Sequence, residues 1–157
     1  MSAATIRKAE TETDIAAARK IFREYEAWLG LDLCFQGFEE ELNNLPGKYS
    51  PPRGRLYLAD AVGVVAGCIA LRPLEPDVCE MKRLFVREEF RGMQLGKLLI
   101  EKLIEEAREI GYKAMRLDTF PPKMGKAVRL YESYGFREIS AYYGNPNEGV
   151  LFMELTL

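Results

Sequence analysis

Seven residues, Arg91 to Lys97, read Arg-Gly-Met-Gln-Leu-Gly-Lys where a strand-like run ending at Val86 gives way to a helical pattern beginning near Leu95. Two glycines start a helix badly, because glycine costs helix stability and capping ordinarily falls to Ser, Thr, Asp or Asn. They suit a ligand better. A helix entrance presents free N–H groups and the positive end of the dipole, which together favour an anion, a phosphate above all. Glycine lets the backbone come close to that anion and take positive φ where needed. Gly92 and Gly96 are therefore expected to make room for phosphate oxygens, with Arg91 and Lys97 adding charge-assisted contacts. The familiar nucleotide loops do not fit: three residues separate Gly92 from Gly96 where a Walker A loop needs four, and Leu98 stands where it needs Ser or Thr. The Rossmann Gly-x-Gly-x-x-Gly is absent too. An ordinary tight turn into a helix accounts for the same residues, so the loop alone leaves both readings open.

The 157 residues include no histidine. That removes Ser-His-Asp and Cys-His pairs, most zinc-hydrolase sites and the commonest general base together. Acid–base chemistry falls to Glu, Asp, Tyr, Cys, Lys, a terminus or water. Cys34, Cys68 and Cys79 are odd in number and lack Cys-x-x-Cys spacing. Small buried thiols in a reducing compartment fit them better than a disulfide or zinc framework, so no metal and a cytoplasmic location are expected.

These residues need elements to hold them. Thr5 to Lys8 predicts a short strand, and Thr11-Glu12-Thr13-Asp14 resembles a capping box. Ile15, Ala18, Phe22, Tyr25 and Leu29 recur at helical spacing up to a stop at Gly30, and a shorter helix is expected from about Phe38 to Leu45. A loop rich in proline and glycine follows. Arg55 to Ala61 and Val64 to Leu71 read as a hairpin turning at Val62-Gly63, and Arg72 to Asp77 as another turn. Cys79 to Val86 predicts a strand with Met81, Arg83 and Phe85 on one face and Glu80, Lys82, Leu84 and Val86 on the other. Leu95, Leu98, Leu99, Leu103, Ala107 and Ile110 form a helical stripe that Gly111 ends. Ala114 to Asp118 is a strand, Met124 to Tyr134 a helix, and Phe136 to Ile139 and Val150 to Leu155 closing strands.

In this setting Arg91 to Gly96 resembles the coenzyme A loop of the GNAT superfamily of N-acetyltransferases, whose usual motif is Gln or Arg, two variable residues, Gly, one variable residue, then Gly or Ala. Arg91 and Gly96 match its ends. Gln94 replaces the middle glycine, keeping an N–H donor but adding a side chain near the expected pyrophosphate. Ala127 to Phe136, Ala-Val-Arg-Leu-Tyr-Glu-Ser-Tyr-Gly-Phe, resembles the superfamily's Ala-x-x-x-Tyr-x-x-x-Gly-Phe segment, although an asparagine often found earlier in that helix is absent near Met124. The element order from Thr5 to Leu155 also follows the superfamily.

The resemblance implies an α/β (α+β) fold in a single domain over residues 1–157. Its central sheet would be mixed and mostly antiparallel, with about seven strands flanked by about four helices. It implies transfer of an acetyl group from acetyl-CoA directly to a primary amine of a small molecule or peptide, without a metal. A non-catalytic acyl-CoA sensor of the same fold is the alternative, motivated by Gln94 and Met124. Cofactor contacts are expected from Leu84, Phe85 and Val86 on the strand and from Arg91, Gly92, Met93, Gln94, Leu95, Gly96 and Lys97 at the loop. Tyr131 is the implied general acid toward the departing thiolate, a role its ordinary pKa near ~10 permits; an aromatic core residue is its other reading. Glu80 is the implied base, with Asp118 as alternative; an ion pair to Lys82 or Arg83, or a simply solvated side chain, is the non-catalytic reading. Acceptor contacts are expected around Leu29 to Phe38 and Ser140 to Asn147, with Trp28, Tyr142 and Tyr143 as lining candidates. Dimers are common in the superfamily, so a homodimer is expected.

Net charge of −2 gives no general footprint for nucleic acid. Lys82, Arg83, Arg87, Arg91 and Lys97 make a local basic cluster, but Glu80, Glu88 and Glu89 interrupt it. Arg87, Arg91 and Lys97 are expected to steer an anionic cofactor, and Lys82 and Arg83 to be surface charges. The longest uncharged apolar run, Ala61 to Leu71, is well short of a membrane span.

Overall fold

Thr11 starts the first helix as its spacing implies. Its side chain accepts from the Asp14 N–H, the Asp14 carboxylate accepts from the Thr11 N–H, and Gly30 ends the helix at φ 74°. The computed structural model describes residues 4–31, 33 and 37–157. Cys34 and part of the expected acceptor region between Leu29 and Phe38 lie outside the described residues.

The elements run β1 (Thr5–Lys8), α1 (Glu12–Leu29), α2 (Phe38–Asn43), β2 (Arg55–Ala61), β3 (Val64–Glu75), β4 (Val78–Val86), α3 (Leu95–Ile110), β5 (Ala114–Thr119), α4 (Pro121–Ser133), β6 (Arg137–Ile139) and β7 (Leu151–Thr156). All seven strands join one sheet in the order β1-β2-β3-β4-β5-β7-β6, antiparallel except between β4 and β5. Two apolar layers cover its faces. Leu99, Ile100, Leu103, Ile104 and Ala107 of α3 pack with Ile69, Met81, Met115 and Met153 on one side. Ala18, Ile21, Phe22 and Tyr25 of α1 pack with Phe38, Leu42, Leu58 and Phe85 on the other. The α3 stripe is thus rotated from the expected one: Ile100 and Ile104 are buried and Leu98 is exposed. Cys68 and Cys79 are buried free thiols.

Asp14 does more than cap. It also receives Arg7 and the Glu10 N–H. The Arg7 guanidinium, then those backbone donors, holds its carboxyl at about 2, below the ordinary carboxylate value near ~3.9. A depressed carboxylate pKa stabilises the fold above the unfolded value, and that contribution is lost as the pH falls through the folded one. Asp14→Asn is expected to cost about 1–2 kcal/mol near neutrality, the difference from the parent vanishing between about pH 4 and pH 2, read as urea midpoints across that range.

Three local expectations change. β3 does not stop at Leu71 but runs on to Glu75, pairing Arg72 with Glu80 and Pro73 with Cys79, so the turn lies at Pro76 and Asp77. An irregularity between Pro73 and Glu75 accommodates the proline. α4 begins at Pro121, not Met124, because prolines at its first positions suit a helix start, and Met124 breaks it with φ −120° and ψ 30°. In β4 the expected alternation fails at Arg83, where φ is +61° and the register against β3 slips. This bulge puts one extra residue in the strand. Cys79, Met81, Leu84 and Val86 face the α3 layer, while Arg83 and Phe85 face the α1 layer.

Candidate active site

β4 and β5 pair only through Val78–Ala114, Cys79–Met115 and Glu80–Arg116. Beyond Glu80 the two strands part, and among the described residues Met81 to Val86 have no strand partner on that side. The gap is floored and walled by Lys82, Arg83, Leu84, Leu117, Asp118, Met124, Tyr25 and Tyr131. The segment expected to meet the cofactor therefore has an open edge.

The loop from Arg91 to Lys97 lies beyond that edge. Gly92 has φ 95°, which requires glycine in practice, and Gln94 takes φ 61° and ψ 25° as the residue preceding α3. The left-handed position is thus filled by a residue with a Cβ, at a cost of about 1–2 kcal/mol. The related motif has glycine there, and this backbone explains why. The Gln94 side chain makes no capping hydrogen bond, so the first N–H groups of α3 lack an intrahelical acceptor and a side-chain cap from that residue. A Cβ on Gly96 would meet nothing within 4 Å, so the space beside that residue is open. Met93 and Leu95 pack into a small cluster with Ala61 and Ala66. Arg91 donates to the Val86 carbonyl at 3.0 Å and lays its guanidinium 4.8 Å from the Trp28 ring, which itself packs on Phe85. Trp28 therefore packs against the arginine of the loop.

On the α1 side of the gap opens a cleft of about 490 Å³. Residues from Gly37 to Tyr49 form one wall, and Arg72, Glu80, Lys82, Arg83, Tyr143 and Gly144 the other. Glu80 is fully buried. Its Oε1 accepts from Arg72 at 2.7 Å and its Oε2 from the Tyr142 hydroxyl at 2.5 Å, while Lys82 Nζ lies 4.0 Å away. The ion pair that sequence reasoning allowed for Glu80 exists, but with Arg72 as its tight partner. Asp118 accepts from the Tyr143 hydroxyl and lies 3.9 Å from Lys82 Nζ.

Within the basic cluster Arg91 and Lys97 are exposed, but Lys82 and Arg83 are not surface charges. Arg83 is buried and held by Glu41 through two bonds of 2.8 and 3.0 Å, and Lys82 is buried between Glu80 and Asp118. The bulge turns Arg83 inward, and the chain supplies carboxylates to meet it. Arg87 is engaged by Glu24 and the Val65 carbonyl. Burial lowers the Lys82 pKa, reinforced by Arg83 and Arg72 and opposed by Asp118 and Glu80.

Tyr131 enters the same gap from α4. It is 2% exposed, its ring packs on Phe136 at 5.6 Å, and burial pushes its hydroxyl well above the ordinary value. It is both a core residue and a wall of the gap. Tyr134, its neighbour in the motif, instead sends its hydroxyl to Glu101. Sequence reasoning missed Arg72 as a site residue, because that required β3 to pass Leu71. The clue was available: a hairpin turning near Pro76 sets Arg72 opposite Glu80.

Comparison with known proteins agrees with this geometry. Residues 15–136 match the model of the acetyltransferase (GNAT) family. An uncharacterized N-acetyltransferase of Schizosaccharomyces pombe is 42% identical over 146 residues, covering 92% of this chain and 89% of its own. A GNAT-family acetyltransferase from Staphylococcus aureus Mu50 superposes with a TM-score of 0.79 at 22% identity, covering 98% of this chain and 99% of that one. YncA from Salmonella typhimurium, solved with its cofactor acetyl-CoA, superposes with a TM-score of 0.67 at 24% identity over 98% of this chain and 94% of its own. With a parted β4–β5 pair and an uncapped helix entrance in its sheet, and with these relatives, the chain belongs to the GNAT family of acetyltransferases and is an N-acetyltransferase.

Proposed function

We propose that the chain moves an acetyl group from acetyl-CoA to the primary amine of a small molecule or peptide, with Tyr131 protonating the departing thiolate and Glu80 receiving the acceptor's proton. One observation carries this reading: beyond Glu80 the edge of β4 is open, and the gap there, lined by Tyr131, shares Lys82 and Arg83 with the 490 Å³ cleft.

The residues present fit acetyl-CoA. The N–H groups at the start of α3, the open space over Gly96, and Lys97 would hold phosphates. Leu84 and Val86 would offer backbone groups to the pantetheine arm. Val86 already shares its carbonyl with Arg91, which leaves Leu84 the freer of the two. A backbone N–H near Phe85, beside the bulge, would polarise the thioester carbonyl. Acetyl-CoA, when bound, supplies the activated acetyl group. The chain supplies orientation and two proton transfers. An amine with a pKa near ~10 arrives protonated, so its proton must leave before or during attack. Glu80 at the cleft floor is the base, reached through the Tyr142 hydroxyl that it holds. Tyr131, kept protonated by burial, delivers a proton to sulfur.

The test is isothermal titration with acetyl-CoA and coenzyme A, followed by thiol release over a panel of amines. Binding with amine-dependent release is expected. Binding without release would support the sensor reading instead, and no binding would overturn the assignment of Arg91 to Gly96. Once an acceptor is found, Glu80→Gln is expected to lower kcat about a hundredfold, and Asp118→Asn less; the reverse order would transfer the role to Asp118.

A further inference from the structure

Lys82 belongs to both cavities: it lines the acceptor cleft and also the gap that contains Tyr131. Arg83 alone shares that position among the described lining residues, and its guanidinium is committed to Glu41. The Lys82 Nζ lies 4.0 Å from Glu80 and 3.9 Å from Asp118, the two carboxylates able to take an acceptor's proton. A primary amine is thus already fixed between the two candidate bases, on a side chain that also lines the gap containing Tyr131.

We infer that Lys82 is an internal acceptor, and that the protein acetylates this lysine when acetyl-CoA is bound and the cleft holds no amine. The inference rests on the acetyl-CoA reading above. The lowered Lys82 pKa supports it, since more of the amine is neutral than at an exposed lysine. Lys82 gives one proton to Glu80 or Asp118, and its nitrogen lone pair forms the bond to the thioester carbonyl carbon as the carbon–sulfur bond breaks. The thiolate takes the Tyr131 proton, and the second nitrogen proton restores Tyr131. The products are Nε-acetyl-lysine, free coenzyme A and one released proton. The acetamide removes a cation from between two carboxylates and fills the junction of the cavities. Acetylated protein therefore turns over amines slowly, and a bound acceptor protects the lysine.

The test uses the full chain, freshly purified, with acetyl-CoA alone. Intact mass should rise by about 42 Da per acetyl group, and peptide mapping should place the first group on Lys82. The rate should saturate with acetyl-CoA, exceed that of exposed lysines such as Lys20 by at least about tenfold, and fall in Tyr131→Phe. Lys82→Arg should lose the modification, with its melting temperature confirming that it folds. Acetylation spread over exposed lysines, linear in acetyl-CoA and indifferent to Tyr131→Phe, would overturn the inference. Titration of the same sample with coenzyme A separates the failures: binding without Lys82 acetylation overturns this inference alone, and no binding overturns the acetyl-CoA reading with it.

Discussion

Gly96→Glu is expected to melt at the parent's temperature or above it, and to lose coenzyme A affinity by about a hundredfold or more. The two effects have separate origins. Gly96 lies in the first turn of α3, which contains no acidic residue. Replacing glycine within a helix recovers about 0.5–1 kcal/mol, and a carboxylate near the positive end of the dipole adds about 0.3–1 kcal/mol. A Cβ at this position meets nothing within 4 Å. If that open space serves the pyrophosphate, the same carboxylate repels it and covers its N–H donors, and a hundredfold loss corresponds to about 2.8 kcal/mol. Gly96→Ala, with no charge, is expected to bind nearly as the parent does. Calorimetric titration beside a thermal melt reads both quantities, and an affinity for coenzyme A within about threefold of the parent would remove the phosphate role from this loop. Gly92 cannot serve as well, because its φ of 95° makes any substitution a test of the backbone.

Tyr131→Phe is expected to lower kcat by about 10²–10³-fold while changing the KM for acetyl-CoA little, since a positioned proton donor contributes about that much to a transition state. The ring remains, so its packing on Phe136 and the core survives, and stability should stay within about 1 kcal/mol of the parent. The pH dependence gives an independent check. A general acid works in its protonated form, and burial raises the Tyr131 pKa, so the parent retains its acid through the alkaline range. The deficit of Tyr131→Phe should therefore be similar at every pH tested. Equal turnover by parent and variant at saturating substrate would leave Tyr131 as a core residue only.

Much of the scaffold could be read directly, for a local reason. Capping and helix stops depend on a few neighbouring side chains and on φ, so Thr11, Asp14, Gly30 and Gly111 act where their positions suggest. Val62-Gly63 turns the β2–β3 hairpin with both residues at positive φ, as such a short connection demands. The break at Arg91 to Gly96 was legible because two glycines within a few residues of a helix start mark a backbone turn, and Gly92 does take positive φ there.

The site's electrostatics were not legible. Strand alternation placed Arg83 and Phe85 with Met81, but one bulge at Arg83 reversed that arrangement, and a single positive φ in an arginine leaves no mark in composition or periodicity. Lys82 and Arg83 read as surface charges because their partners stand far along the chain: Glu41 for Arg83, Asp118 for Lys82. By itself the sequence determined the element order, both ends of α1, the stop of α3 at Gly111 and the β2–β3 turn, all consequences of short-range geometry; the loop from Arg91 to Gly96 and Tyr131 stood out through their likeness to family motifs. Only the tertiary structure decided that β4 and β5 part beyond Glu80, that Arg72 holds Glu80, and that Lys82 sits between two carboxylates. Those facts depend on which strands meet and in what register, and the burial that results makes each charge require a partner.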